Sequence, residues 1–121
     1  MNVNEIEILK GALSQMVMKG CTVKNDTYKV EGKVVGIGFK PYWSNPYDSK
    51  IEKLELNILN RYGRIIPFVF NNIIGYDILS HDGASINDSK NISLDIHVFS
   101  NRRDLNEPYE KIKVDISTSA F

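Results

Sequence analysis

The sequence predicts an α+β fold in which one N-terminal amphipathic helix packs on a mostly antiparallel sheet of about five to seven strands. Residues 5–19 repeat their apolar side chains with the period of a helix. From residue 21 onward, apolar and polar residues alternate in short segments separated by turn-forming residues. Short alternating strands favour antiparallel pairing, and one amphipathic helix is sufficient to cover one face of such a sheet.

The composition is that of an ordinary folded protein. Apolar residues make up 42% and charged residues 25% of the 121 residues, a length that predicts a single domain over residues 1–121. Fifteen basic residues balance fifteen acidic ones. This balance argues against general nucleic-acid binding, because contacts with phosphates normally require an excess of basic residues.

Cysteine usage and hydropathy indicate the compartment. Cys21 is the sole cysteine, so no disulfide is expected within the chain and no cysteine-based metal site either. The N-terminus lacks a basic, apolar leader, and no apolar run reaches the roughly 18 residues of a membrane span. We therefore expect a cytoplasmic protein that does not contact a membrane.

The predicted helix covers residues 5–19. Its buried face is expected to carry Ile6, Leu9, Leu13, Met16 and Val17. Asn4 is the predicted N-cap, with Glu7 reaching back to it, and Gly20 is predicted to end the helix in the left-handed conformation. Gly11 costs about 1 kcal/mol relative to alanine inside a helix. Either close packing against a neighbour or simple tolerance would account for it.

The predicted strands occupy residues 21–39, 51–59, 65–70, 75–79, 92–99 and 109–117. A turn at Asn25-Asp26 interrupts the first segment, so that Thr27–Glu31 is a short strand of its own, and beyond it Val35, Ile37 and Phe39 share an inward face. Pro67 lacks a backbone donor, which predicts a sheet edge or a bulge. Residues 71–80 fit a short helix and a buried strand almost equally, and we adopt the strand over 75–79.

The segment Phe39–Tyr47 contains four aromatic residues, two prolines and the only tryptophan. The prolines predict a loop, and loops lie on the surface, where exposed aromatic rings need an explanation. Trp43 and Tyr47 either fold back to cap the end of the sheet or contact another protein. The apolar residues of the strands can fill a core without them.

Candidate interface residues were chosen from loops rich in aromatic residues and arginine, because Trp, Tyr and Arg are enriched where alanine substitution most weakens binding. The predicted partner-binding residues are Tyr42, Trp43, Tyr47, Arg61, Tyr62, Arg64, Asp82, Arg102 and Arg103.

No catalytic motif, cofactor motif or metal-ligand spacing is found, so we predict no catalytic residues, no cofactor and no metal. The only group of ligand-type side chains comprises Asp77, His81, Asp82, Asp95 and His97. A metal site or an acid–base pair is one interpretation. The favoured one is the solvated face of a strand that pairs with Lys111, Lys113 and Asp115, where cross-strand charge pairs are common.

These observations favour a non-catalytic, cytoplasmic, protein-binding module. The specific hypothesis is an immunity or antitoxin-type inhibitor that neutralises a toxin or effector domain by binding it, with acidic residues such as Asp77, Asp82, Asp88 and Asp104 facing a basic partner. One alternative is a nucleotide-sequestering or phage anti-defence protein that uses the loop arginines and an aromatic stack. Another is a structural subunit of a homo-oligomer.

Overall fold

A computed structural model describes residues 1–42, 50–84, 89–100 and 109–118 of the chain. They form one helix and six strands. The helix α1 spans Val3–Lys19, and the strands are β1 (Thr22–Asn25), β2 (Val30–Tyr42), β3 (Lys50–Leu59), β4 (Ile65–Ser80), β5 (Asn91–Phe99) and β6 (Tyr109–Ser117).

The strands pair in chain order and every pairing is antiparallel. β1 also pairs with β6, so the sheet closes into a barrel of six strands. The predicted α+β arrangement of one N-terminal helix and an antiparallel sheet is confirmed. Closure of the sheet was not predicted. It depends on β1, a strand of only four residues, which pairs with β6 as well as with β2.

One apolar core fills the space between the helix and the inner face of the sheet. The helix contributes Ile6, Leu9, Leu13 and Met16, all buried. The strands contribute residues that alternate along each of them, such as Leu54, Leu56 and Ile58 of β3 and Leu94 and Ile96 of β5. The Tyr76 hydroxyl of β4 donates a hydrogen bond of 2.7 Å to the Glu5 carbonyl oxygen, which ties the first turn of α1 to the sheet.

The ends of α1 are set by two caps. The predicted cap at Asn4 is wrong: Asn2 is the N-cap, and its side-chain oxygen accepts a hydrogen bond of 2.8 Å from the Glu5 N–H. Both asparagines precede the same apolar repeat, so the sequence pattern does not distinguish them. Gly20 ends the helix with a φ of 65°, as predicted.

The turn between β1 and β2 is longer than predicted. Thr27, Tyr28 and Lys29 form a turn rather than the start of a strand. The Asn25 side-chain oxygen accepts a hydrogen bond of 2.7 Å from the Tyr28 N–H, and Lys29 adopts a φ of 54°. This side-chain bond replaces the ladder bonds that an extended chain would have made.

A bulge in β2 changes which side chains face inward. The register with β3 shifts between Val34 and Gly36. Val34 is consequently buried, whereas Val35, which was predicted to face inward, is 40% exposed. A shift of one residue moves a side chain to the opposite face of a sheet, so the prediction for Val35 is wrong.

The predicted strands 65–70 and 75–79 are one continuous strand, β4, of 16 residues. A register shift between Ile73 and Gly75 and a φ of 54° at Asn72 divide it. Residues before this point pair with β3 and those after it pair with β5. Pro67 therefore pairs only with Asn57 of β3 among the described residues, as predicted for a strand segment at an edge.

The described part of the chain contains no helix that is long and apolar enough to cross a bilayer. The lone thiol, Cys21, is buried against the core. Burial raises the pKa of this thiol, and the charge of Lys19 offsets part of that rise. A thiol in this position stays protonated and is poorly suited to act as a nucleophile.

Candidate functional site

The β3–β4 hairpin ends in a turn that a single asparagine side chain holds in place. The Asn60 side-chain oxygen accepts hydrogen bonds from the Tyr62 N–H at 2.9 Å and the Arg64 N–H at 3.0 Å. Its backbone N–H donates to the Arg64 carbonyl at 2.9 Å, and Gly63 adopts a φ of 79°. The turn is therefore fixed by short-range bonds within five residues of sequence, Asn60 to Arg64.

Tyr62 projects from this turn with 73% of its surface exposed. The Arg61 guanidinium donates a hydrogen bond of 2.8 Å to the Tyr62 hydroxyl and lies 4.9 Å from the centre of its ring. Because Arg61 restrains the Tyr62 ring, these two side chains lose less conformational entropy on binding a partner than unrestrained side chains would.

Apolar side chains continue this surface along the outer face of β4. Phe68 and Phe70 point inward and are buried, so the alternation of the strand turns Ile65, Pro67 and Val69 outward. Ile65 is 61% exposed and Val69 is 38% exposed. We refer to Arg61, Tyr62, Arg64, Ile65, Pro67 and Val69 as the tip surface.

The tip surface carries a local positive charge. Residues 60–70 contain two arginines and no acidic residue. Glu55 of β3 pairs with Val69, so the positive charge belongs to the turn end of the surface, at Arg61 and Arg64. An apolar surface bordered by arginine and tyrosine has the composition of a protein-binding hot spot.

A second, polar surface covers the outer face of β5 and β6. Three cross-strand pairs define it: Ser93 opposite Asp115, Asp95 opposite Lys113, and His97 opposite Lys111. This register confirms the predicted pairing of Asp95 and His97 with the lysines of β6. The face is not solvated throughout, because the His97 side chain is only 16% exposed. Among the described residues, no group of three or more His, Cys, Asp or Glu side chains could hold a metal ion.

Ser93 links two side chains of this polar face. The His81 Nε2 atom lies 2.5 Å from the Ser93 Oγ atom, and the Ser93 hydroxyl donates to an Asp115 carboxylate oxygen at 3.0 Å. When the Ser93 hydroxyl donates to Asp115, the His81 Nε2 atom is the donor to the Ser93 oxygen, because a serine has one proton. The chain of bonds joins the residue that follows β4 to β5 and β6.

His97 lies on the same face, beside Tyr109 and Gly75. Its ring stacks on Tyr109 at 5.0 Å between centres, and its Nδ1 atom lies 3.1 Å from where a Cβ on Gly75 would be. The His97 Nε2 atom is 3.1 Å from an Asp77 carboxylate oxygen, an ion-pair distance without hydrogen-bond geometry. These contacts pack the histidine against the sheet.

Asp82 organises the loop that follows β4. Its carboxylate accepts hydrogen bonds from the Lys90 N–H at 2.7 Å, the hydroxyls of Ser89 at 2.8 Å and Ser80 at 2.9 Å, and the Ala84 N–H at 3.2 Å. These bonds, that of Lys90 foremost, hold the pKa of Asp82 well below its usual range. The carboxylate is thus committed to its own loop.

The structure brings together three of the predicted partner-binding residues, Arg61, Tyr62 and Arg64, at the tip surface. Asp82 follows the other end of β4, and Tyr42 ends β2 opposite Lys50, at the end of β3 away from the tip. The remaining predicted residues, Trp43, Tyr47, Arg102 and Arg103, lie outside the described residues, as do Asp88 and Asp104.

A groove of about 390 Å³ opens beside β1, β5 and β6. Lys24, Glu31, His81 and Asp115 lie along it, and neither Arg61 nor Arg64 does.

Sequence reasoning overlooked two parts of these surfaces. The outward orientation of Ile65 and Val69 could have been predicted from the alternation of β4, since Phe68 and Phe70 define its inward face. The bonds among His81, Ser93 and Asp115 join residues up to 34 positions apart in the numbering, and no local pattern predicts them. Only the pairing of strands brings these residues together.

Comparison with protein-family models, with curated proteins and with solved structures finds no significant match to this chain.

Proposed function

We propose that this protein is a non-catalytic binding module that docks on a protein partner through the tip surface. The observation that carries the proposal is the exposure of Tyr62 and Ile65, 73% and 61%, on a turn fixed by Asn60. Large side chains that stay exposed on a rigid element provide area for an interface at little cost in conformational entropy.

The charge of the tip surface indicates the kind of partner. Arg61 and Arg64 suit an apolar site bordered by Asp or Glu, because an arginine fork pairs with a carboxylate through two parallel hydrogen bonds. This differs from the basic partner expected from the sequence. Asp82, one of the acidic residues on which that expectation depended, is engaged by its own loop.

An immunity or antitoxin-type inhibitor is the specific function that we propose. Such a protein needs no catalytic group, only a rigid surface that occupies the working site of a toxin or effector domain. A protruding hairpin end is suited to entering a concave site. The single buried thiol is compatible with a reducing cytoplasm, where we expect the protein to act.

The test is capture of a partner from native lysate with the full chain as bait. The wild-type protein should retain one protein in stoichiometric amount. A Tyr62→Ala/Ile65→Ser variant should fail to retain it, because each hot-spot anchor contributes at least about 2 kcal/mol to binding. Arg61→Glu/Arg64→Glu should also abolish capture by placing acidic groups opposite acidic groups.

A matched control removes equivalent side chains elsewhere. Leu79 is 60% exposed and Phe99 is 49% exposed, so Leu79→Ser/Phe99→Ala changes a comparable apolar surface away from the tip. This variant should retain the partner as the wild type does. Equal capture by the tip variant and the control would refute the proposal, and so would the recovery of no stoichiometric protein.

A further inference from the structure

The outward-facing side of α1 contains an exposed stripe. Positions 4, 8, 11, 15 and 18 lie on one side of the helix, opposite the buried face of Ile6, Leu9, Leu13 and Met16. Ile8 is 62% exposed and Met18 is 79% exposed. Gly11 lies between them. We refer to Asn4, Ile8, Gly11, Gln15 and Met18 as the helix stripe.

The packing of the described residues does not explain Gly11. A Cβ built on it meets none of their atoms within 4 Å, and its place in the helix interior costs about 1 kcal/mol relative to alanine. Of the two explanations that the sequence leaves open, close packing against a neighbour is therefore not provided by the residues that the structure describes. A glycine between two large apolar residues allows a second helix backbone to approach closely.

The charges beside the helix stripe match a second copy of the same helix. Glu5 lies in the first turn and Lys19 in the last, and both are on the same flank of the stripe. If two copies pack antiparallel, Glu5 of each lies beside Lys19 of the other. The two helix dipoles then also oppose each other. A parallel pair would instead place this flank of the two helices on opposite sides of the interface, so that Glu5 and Lys19 of the two copies would not meet.

We propose that two copies of this chain associate through their helix stripes, antiparallel, with Gly11 near the two-fold axis. Such an interface is isologous, because the same surface serves both copies. The helix stripe shares no residue with the tip surface, so the proposal is independent of partner binding. A dimer of this kind would present two tip surfaces.

Sedimentation equilibrium of the full chain tests the association. The wild type should show a monomer–dimer equilibrium, with a mass approaching twice 13.8 kDa as concentration rises. Gly11→Leu should melt at a higher temperature, since leucine favours helix and its Cβ meets no atom of the described residues, and yet associate at least about tenfold more weakly. A monomeric wild type overturns the proposal, as does a Gly11→Leu variant that associates undiminished.

Charge reversal tests the orientation. Glu5→Lys and Lys19→Glu should each weaken association about tenfold, because each creates two like-charge contacts in the dimer. The double variant Glu5→Lys/Lys19→Glu should restore it. Glu31→Lys, an exposed reversal on β2, should leave the mass distribution unchanged. A double variant no tighter than the single variants overturns the antiparallel arrangement.

Discussion

Two acceptor side chains fix the turns at opposite ends of β4. Asn60 holds the hairpin end with bonds to two backbone N–H groups, and Asp82 holds the following loop with four bonds. Both residues are of the types that compete with the backbone for hydrogen bonds, so turns at these places were predictable. Which donors they reach depends on the fold.

Asp82 should contribute stability that depends on pH. Because its pKa is lowered in the folded state, the carboxylate form stabilises the fold. This contribution is complete above the pKa of an unfolded aspartate, about 3.9, and is lost as the pH falls toward the lower folded pKa. We therefore expect Asp82→Asn to reduce the free energy of unfolding at neutral pH.

Urea unfolding of the wild type and the Asp82→Asn variant, followed from neutral to acidic pH, measures this effect. The difference between the free energies of unfolding of the two proteins should become smaller as the pH falls below about 4. If this difference stays constant across the pH range, the charge of Asp82 is not the cause of the difference in stability.

At the scale of elements, local patterns predicted the helix and the β5–β6 pair well. The apolar repeat of α1 and the alternation of Ile92, Leu94 and Ile96 each match one buried face. Predictions were wrong where one residue changes the geometry. The bulge at Val34–Gly36 turns Val35 outward, and Asn72 lets β4 continue through a kink. A bulge depends on the partner strand, so a single strand's sequence does not reveal it.

Two glycines of β2 should respond differently to alanine. A Cβ on Gly32 would overlap the Leu59 carbonyl oxygen and lie 2.7 Å from Ile58 Cγ2, whereas a Cβ on Gly36 would lie 3.5 Å from Asn57 Nδ2. We expect Gly32→Ala to reduce the free energy of unfolding by about 1–3 kcal/mol through overpacking. Gly36→Ala should be neutral or stabilising by up to about 1 kcal/mol, since it restricts the unfolded chain.

Urea unfolding of the two variants provides the comparison. Both substitutions restrict the unfolded chain alike, so the difference between them isolates the overlap at Gly32. Equal stability of the two variants would contradict the close approach of β2 to Leu59.

At the scale of the whole molecule, closure of the sheet determines which residues become neighbours. β1 joins β6, although they lie at opposite ends of the strand order. Among the predicted partner-binding residues that the structure describes, Tyr42 and Asp82 lie at other strand ends, so that of these only Arg61, Tyr62 and Arg64 meet. Local sequence patterns give the type of each element but carry little information on pairing between distant strands. The candidate site was thus predicted in composition and only partly in location.

We propose that the partner binds at the tip surface. Hydroxyl-radical footprinting of the complex with the captured protein tests it most directly, because it measures the exposure of individual side chains. Tyr62 and Ile65 should be oxidised in the free protein and protected in the complex, while Leu79 and Phe99 stay equally reactive. Protection of Leu79 and Phe99 with Tyr62 and Ile65 unchanged would contradict the claim.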